Sequence, residues 1–266
     1  MANSVKKILI IAGSDSGGGA GLQADIKTAC AHKVFCSTIV TSLTAQNTQG
    51  VFAIHNPDIN FLKKQLEVVL DDIKFDAVKI GMLSNLEIAQ EVFRILKDNR
   101  NIKNIVLDPV MVATSGDALL EDLAIDVLKK KLLPISILVT PNIDEANILS
   151  GMEILNLEDM KLAAKKIKEL GVKNVLIKGG HLNISKDKIY SILLDDFSNY
   201  HLIYNNKISK IQFHGTGCSL ASAICSNLAK GNSIKKSVKK ANKYVFKTLK
   251  SSLKVGKGSL VLNHFS

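Results

Sequence analysis

The sequence has no tryptophan, and aromatic residues make up only 5% of it, while hydrophobic residues of all kinds reach 46% of the 266. Its apolar content is therefore aliphatic, which suits a buried parallel sheet covered by helices. Proline is scarce too. Its four residues are scattered, and no Pro/Gly/Ser-rich linker, internal repeat or low-complexity tract divides the chain, so a single domain over residues 1–266 is expected. No apolar stretch reaches membrane-spanning length, and the first thirty residues lack the pattern of an export signal, which leads to the expectation of a cytoplasmic protein. The four cysteines, Cys30, Cys36, Cys218 and Cys225, have neither CxxC nor metal-ligand spacing, which argues against a disulfide framework or a zinc site.

Charge is the one lopsided quantity. Lys and Arg total 35 against 24 Asp and Glu, a formal net charge of +11. A polyanionic partner such as nucleic acid is one reading of that excess. The other is a solvated helix surface, and the distribution favours it: Lys235, Lys236, Lys239, Lys240, Lys243 and Lys247 sit at helical spacing without interleaved aromatics. No nucleic-acid and no membrane partner is expected.

Short aliphatic runs alternate with helical patterns from the start: Ile8 to Ala12, then 20–33; Ser37 to Leu43, then 58–71; Ala77 to Ile80, then 85–98. The alternation continues with Ile105 to Leu107, a helix near 118–132, Ile137 to Val139, helices at 142–150 and 157–170, and Val175 to Ile177. This is a βαβ succession, which predicts an α/β fold with a mostly parallel sheet and right-handed crossovers. Between 187 and 213 the alternation shortens and becomes more polar, which predicts two or three antiparallel strands, and helices at 217–229 and 233–252 close the chain.

In such a sheet, ligands bind beyond the carboxyl ends of the strands, so the residues after each run are where chemistry is expected. The first run ends in Gly13-Ser14-Asp15-Ser16-Gly17-Gly18-Gly19-Ala20-Gly21, a loop that permits close backbone approach and leads into a helix. Gly19, Gly21 and Ala24 fit a loose dinucleotide fingerprint, but that fold needs an acidic residue about 20 positions further on. After Asp25 the next carboxylate is Asp58, which disfavours a dinucleotide-binding dehydrogenase. A P-loop is disfavoured as well, because Gly256-Lys257-Gly258 lacks the metal-binding hydroxyl after its lysine.

The better phosphate site is His214-Gly215-Thr216-Gly217-Cys218-Ser219, a glycine-bracketed turn opening a small-residue helix whose free N–H groups can hold a phosphoryl oxygen. The positive end of that helix favours a thiolate, so Cys218 is a candidate base with a lowered pKa, against the alternative of an inert buried cysteine. Cys225, seven residues on, takes the inert reading. Thr140-Pro141-Asn142-Ile143-Asp144-Glu145 and Lys178-Gly179-Gly180-His181 end two other strands. Asn142 and Glu145, a turn apart, can hold a magnesium ion through water or act as a helix cap and its capping-box partner. Asp108, in Asp108-Pro109-Val110-Met111, belongs near the phosphates or in a helix cap.

Together, AGSDSGGGAGLQADIK, TAQNT, KIGML, LDPVM, VTPNIDEA, LIKGGH and HGTGCSLASAI resemble the hydroxymethylpyrimidine/phosphomethylpyrimidine kinases of thiamine biosynthesis, a branch of the ribokinase-like superfamily, over Ile11 to Ile224. The Gly-Thr-Gly turn is common to that superfamily; Asp usually follows it, and Cys218 is typical of this branch. The resemblance implies a three-layer α/β/α kinase domain that uses ATP and Mg2+ to phosphorylate a hydroxymethylpyrimidine and then its monophosphate, as a homodimer and without a fused thiamine-phosphate synthase domain. It implies that Gly13, Ala20, Asp25, Thr44, Gln46, Met82 and Val110 line the pyrimidine pocket, with Asp25 and Gln46 reading the ring's nitrogens and amino group. Asp108, Thr140, Asn142, Glu145 and Lys178 would surround the magnesium nucleotide, with Gly215, Thr216 and Gly217 as an anion hole beside Cys218. The sequence departs from the family pattern at Thr114, where lysine is frequent, and at Ser259 to Leu262, where Gly-Pro is frequent; this bears on Lys257 as a phosphate contact. Pyridoxal kinase is the nearest alternative, and a basic binding protein with a degenerate nucleotide pocket is the alternative from another class.

Overall fold

A computed structural model describes residues 5–99, 102–111, 119–180, 182, 185–208 and 213–266. A nine-stranded sheet forms the centre, in the order β3-β2-β1-β4-β5-β6-β7-β8-β9. Its first half comprises β1 (Lys7–Asp15), β2 (Phe35–Gln46), β3 (Val51–His55), β4 (Ala77–Ile80) and β5 (Ile105–Leu107). The second comprises β6 (Leu138–Val139), β7 (Asn174–Lys178), β8 (Lys188–Leu194) and β9 (Tyr200–Asn206). The strands from β2 through β1, β4, β5 and β6 to β7 pair in parallel, and the antiparallel β3 on one side and β8 and β9 on the other complete the sheet.

Each buried strand divides its side chains between two helix layers, because successive residues point to opposite faces. Leu9 and Ile11 of β1 join Val78, Ile80, Ile105, Leu107, Val139, Val175 and Ile177 in one core. Helices α2 (Ile59–Asp72), α3 (Leu86–Asp98), α6 (Ile143–Ser150) and α7 (Leu157–Glu169) cover that core. Ile8, Ile10, Ala77, Val106, Leu138 and Leu176 face the other layer, made by α1 (Gly21–Ala31), α8 (Thr216–Ala229) and α9 (Ile234–Lys250). The small residues of α8, among them Ala221, Ser222, Ala223 and Cys225, let it lie close against the sheet, and all are buried. On α9, Ser237, Val238, Ala241, Val245 and Thr248 are buried while the six lysines of the expected outer face are exposed.

The structure refines the expected elements. The helix expected near 118–132 is α4 (Asp122–Val127), a wide π turn over Leu128–Leu132, and a single turn α5 (Leu133–Ile135). Pro134 has no N–H to give the preceding turn, and a helix that loses this bond deforms. Among the described residues of the 187–213 region, β8 and β9 are antiparallel strands, within the two or three expected. Phe213–His214 (β10) instead pairs in parallel with Leu260–Val261 (β11), outside the main sheet. Finally β3, an antiparallel edge strand, occupies a stretch expected to be connection.

Candidate active site

The strand order reverses between β1 and β4, which stay parallel, and this is the place where open α/β sheets bind ligands. Gly13 lies at this reversal. A Cβ there would stand 3.0 Å from the Met82 sulfur and closer still to Ser42 Oγ, so the missing side chain leaves room that Met82 and Ser42 border. Met82 is held from behind by Thr41, whose hydroxyl donates to its carbonyl at 2.6 Å.

The glycine loop is organised by a residue not singled out from the sequence. Asp15, 2% exposed, accepts the N–H groups of Gly17 at 2.8 Å, Gly19 at 2.9 Å and Ala20 at 2.8 Å. His214 Nε2 lies 3.1 Å from Asp15 Oδ2, which ties this loop to the turn before α8. Burial pushes the Asp15 carboxyl up, but the His214 and backbone hydrogen bonds outweigh it and hold the group below the usual carboxylate range. Gln46 joins the same cluster: its amide nitrogen lies 3.0 Å from His214 Nε2, and Thr44 Oγ1 is 2.8 Å from its amide oxygen and 2.9 Å from the Ser14 carbonyl. Gly13, Ala20, Thr44, Gln46 and Met82 are thus gathered around one end of β1, β2 and β4. Val110 follows β5, its N–H on the Asp108 carbonyl at 2.8 Å.

Asp25 is the exception. It is 0% exposed, with Oδ2 2.7 Å from Lys79 Nζ and Oδ1 accepting from Ser222 Oγ at 2.7 Å. Both carboxylate oxygens are already engaged inside the α1/α8 layer, so the expectation that Asp25 reads the pyrimidine ring is corrected.

The second cluster ends β5, β6 and β7. Lys178 Nζ lies 3.0 Å from Asp108 Oδ1 and 3.9 Å from Glu145 Oε2, and Thr140 Oγ1 donates to Asp108 Oδ1 at 3.0 Å. Desolvation lowers the Lys178 pKa, but Asp108 and Glu145 more than reverse it, so the ammonium stays charged. Burial pushes the Glu145 carboxyl up to about 7, against the pull of Lys178. Asn142 caps α6, and a full capping box forms: the Asn142 N–H donates to Glu145 Oε2 at 2.7 Å, and the Glu145 N–H to Asn142 Oδ1 at 2.9 Å. Among the described residues no group of three or more His, Cys, Asp and Glu suits direct metal ligation. With Asn142 Oδ1 and Glu145 Oε2 already engaged in the capping box, a magnesium ion would meet these residues through its own waters.

Gly215 joins the two clusters. It takes a left-handed conformation, φ +84°, and a Cβ would collide with the Gly19 carbonyl oxygen, so only glycine fits this contact. The turn aims the N-terminus of α8 at the second cluster: a Cβ on Gly217 would stand 3.3 Å from Lys178 Nζ and 3.5 Å from Asp108 Oδ2. Cys218 follows on the first turn, half-buried, its sulfur accepting the Gly21 N–H. Here the expected lowered pKa is corrected. Burial pushes the thiol up to about 11, more than Lys79 and the Gly21 N–H pull it down, so Cys218 is protonated at neutral pH. Cys225 is wholly buried, as expected.

The segment bearing Lys257 docks on the acceptor side. The Gly258 N–H donates to Thr48 Oγ1 at 3.1 Å, the Ser259 N–H donates to the Thr48 carbonyl at 2.8 Å, and β11 places Val261 beside Gly19. Lys257 itself is exposed. Thr114 and His181 lie outside the described residues.

A parallel sheet between helix layers, with a glycine turn presenting a helix N-terminus to a lysine and two carboxylates, defines a kinase of the ribokinase-like class. Within that class the chain belongs to the phosphomethylpyrimidine kinase family, whose model it matches over residues 15–263. It is 41% identical to the hydroxymethylpyrimidine/phosphomethylpyrimidine kinase of Bacillus subtilis, across 99% of this chain and 96% of that protein. A crystal structure of phosphomethylpyrimidine kinase from Clostridium difficile superposes with a TM-score of 0.81 at 41% identity, covering 92% of this chain and 99% of that one. An ADP complex of Bacillus subtilis pyridoxal kinase gives 0.90 at 34% identity, covering 98% of each. The chain is a phosphotransferase of thiamine biosynthesis.

Proposed function

We propose that the chain transfers the terminal phosphoryl group of ATP to the hydroxymethyl group of 4-amino-5-hydroxymethyl-2-methylpyrimidine, and then a second one to the resulting monophosphate. The observation that carries this reading is the Gly215 turn. It seats the acceptor-side loop, through Gly19, against the helix N-terminus that meets Lys178 and Asp108. In the first transfer the acceptor oxygen bonds to the terminal phosphorus, the bond from that phosphorus to the bridging oxygen breaks, and ADP leaves. The acceptor's proton goes to the Cys218 thiolate, the thiol having first released its own proton to solvent, or is oriented by the thiol. N–H groups of Gly215, Thr216 and Gly217 and the Lys178 ammonium face the charge that spreads over the moving phosphoryl oxygens, which is where such reactions gain most of their rate. Asn142 and Glu145 would hold magnesium through water, and the ion when bound offsets the phosphates' negative charge. On the acceptor side Gly13, Ala20, Thr44, Gln46, Met82 and Val110 supply the wall, and His214 steadies Gln46.

Likeness to pyridoxal kinase makes pyridoxal the competing acceptor. Turnover of ATP measured side by side with the hydroxymethylpyrimidine, its monophosphate and pyridoxal decides between them. Efficient use of both pyrimidines is expected, and turnover with pyridoxal alone would refute the substrate.

A further inference from the structure

β4 runs through the middle of the sheet, and the two-residue period of a strand puts Lys79 on the same side as Ala77, in the apolar α1/α8 layer. The side chain is wholly buried, with its ammonium 2.7 Å from Asp25 Oδ2. Its head turns toward the carboxyl end of the strand: a Cβ on Gly81 would stand 2.6 Å from Nζ, so the ammonium occupies the space that glycine leaves. Asp25 lies one helical turn beyond Gly21 on α1, and Ser222 one turn beyond Cys218 on α8. The two helices therefore meet in two tiers. In the upper, the Gly21 N–H reaches the Cys218 sulfur; in the lower, Ser222 Oγ donates to Asp25 at 2.7 Å, with Lys79 on the other carboxylate oxygen.

Stability does not require this arrangement. A buried ion pair loses much of its attraction to desolvation, and well-packed apolar residues of similar volume often serve a core as well or better. What the pair does provide is two fixed, opposite charges under the acceptor side of the site, both wholly buried.

We propose that Asp25 and Lys79 are positioning residues for phosphoryl transfer: the Lys79 ammonium, anchored by Asp25 and Ser222, is the charge that allows Cys218 to exist as a thiolate and so take the acceptor's proton. The thiol gives its proton to solvent. The thiolate then receives the hydroxyl proton as the acceptor oxygen bonds to phosphorus and the bridging bond breaks, which restores the thiol. This rests on reading Cys218 as the acceptor-side base. Five groups bear on its sulfur: Lys79 from β4, Asp25 and the Gly21 N–H from α1, Asp108 after β5, and Lys178 at the end of β7. Burial is the largest influence on the thiol; Lys79 and the Gly21 N–H oppose it, while Asp25 and Asp108 add to it. Lys79 and Asp25, being oppositely charged, act on Cys218 with opposite sign, so their substitutions should move its reactivity in opposite directions.

The test is the rate at which iodoacetamide alkylates Cys218 at pH 8 to 9 in the full chain, read by peptide mass spectrometry with the exposed Cys30 as internal reference. Alkylation follows the thiolate fraction, and a shift of one pKa unit changes it about tenfold. Lys79→Met is expected to slow Cys218 by about tenfold or more relative to Cys30, and Asp25→Asn to accelerate it. The double variant Asp25→Asn/Lys79→Met, which leaves no lone buried charge, should react at or above the rate of Lys79→Met and below wild type. Slowing in Asp25→Asn, or equal rates in wild type and both Lys79→Met proteins, overturns the proposal. If Asp25→Asn does not fold, the wild type and the two Lys79→Met proteins decide it alone. Turnover with the hydroxymethylpyrimidine separates the two failures: unaltered kcat with slowed alkylation removes Cys218 as the base while the electrostatic coupling stands.

Discussion

At the scale of single residues, the two transfers make unequal demands on Cys218. A hydroxymethyl oxygen must lose a proton as it attacks, whereas a phosphate monoester, with its second pKa near 6, already offers an anionic oxygen at neutral pH. Cys218→Ala is therefore expected to lower kcat for the first transfer by roughly 10²- to 10⁴-fold, the usual contribution of a positioned acid or base, and to affect the second much less. Separate assays with the two acceptors check this, and equal losses in both would assign the sulfur to binding geometry instead. Cys218→Asp should recover part of the first transfer, since a carboxylate at this turn can accept the same proton. Cys218, Lys178 and the Gly215 turn were legible because each follows a strand and breaks the aliphatic pattern. The charge state of Cys218 was not, because sequence shows the helix start but not the burial that outweighs its field. Asp25 misled for a similar reason: it sits in a block that lines the pocket, yet one helical turn carries it behind the wall. Lys79 left a signal that could have been used. A lysine inside Ala77-Val78-Lys79-Ile80, a central strand buried throughout, implies a buried partner.

At the scale of elements, most strands and helices lie within a few residues of their expected places, since hydrophobic period and length distinguish them without tertiary information. β3 and the β10–β11 pair escaped, because a five-residue edge strand and two-residue strands some 46 positions apart leave no periodic trace. Those pairings shape the site, for they hold the acceptor loops to the N-terminus of α8, and Asp15 is their junction. Its pKa is lowered from 3.8, so its carboxylate contributes stability that is present above that value and lost as pH falls through the lower folded pKa. Asp15→Asn is expected to lower unfolding free energy at pH 7 by about 1–3 kcal/mol, the range for hydrogen bonds to a charged group. Denaturant titrations at pH 7 and pH 3 check the sign: the deficit should shrink at the lower pH, and a deficit independent of pH would mean the carboxylate charge does not hold the loops.

At the scale of the whole molecule, the order of the strands and the state of the sheet edges depend on long-range pairing, which the sequence pattern does not encode. The structure leaves β3 at one edge with Phe52 and Ile54, two residues apart on the same face, 69% and 40% exposed. Phe61, at the start of the following α2, is 61% exposed. An edge strand with bare apolar side chains invites pairing unless something covers it, and natural proteins rarely leave such an edge uncovered. No lysine or proline lies within Val51–His55 to blunt it. The homodimer that the family resemblance implies would have this edge as one place to form. The exposed lysines of α9 favour solubility rather than association. If a homodimer forms there, Phe52→Lys/Ile54→Lys gives a monomer in sedimentation equilibrium where the wild type is a dimer, with the fold retained, because both side chains already face outward. A monomeric wild-type protein, or a double variant that remains dimeric, would place the contact elsewhere or remove it. Turnover by the monomeric variant then shows whether the acceptor pocket, whose Thr44 and Gln46 lie on the strand paired with β3, depends on the partner to keep its shape.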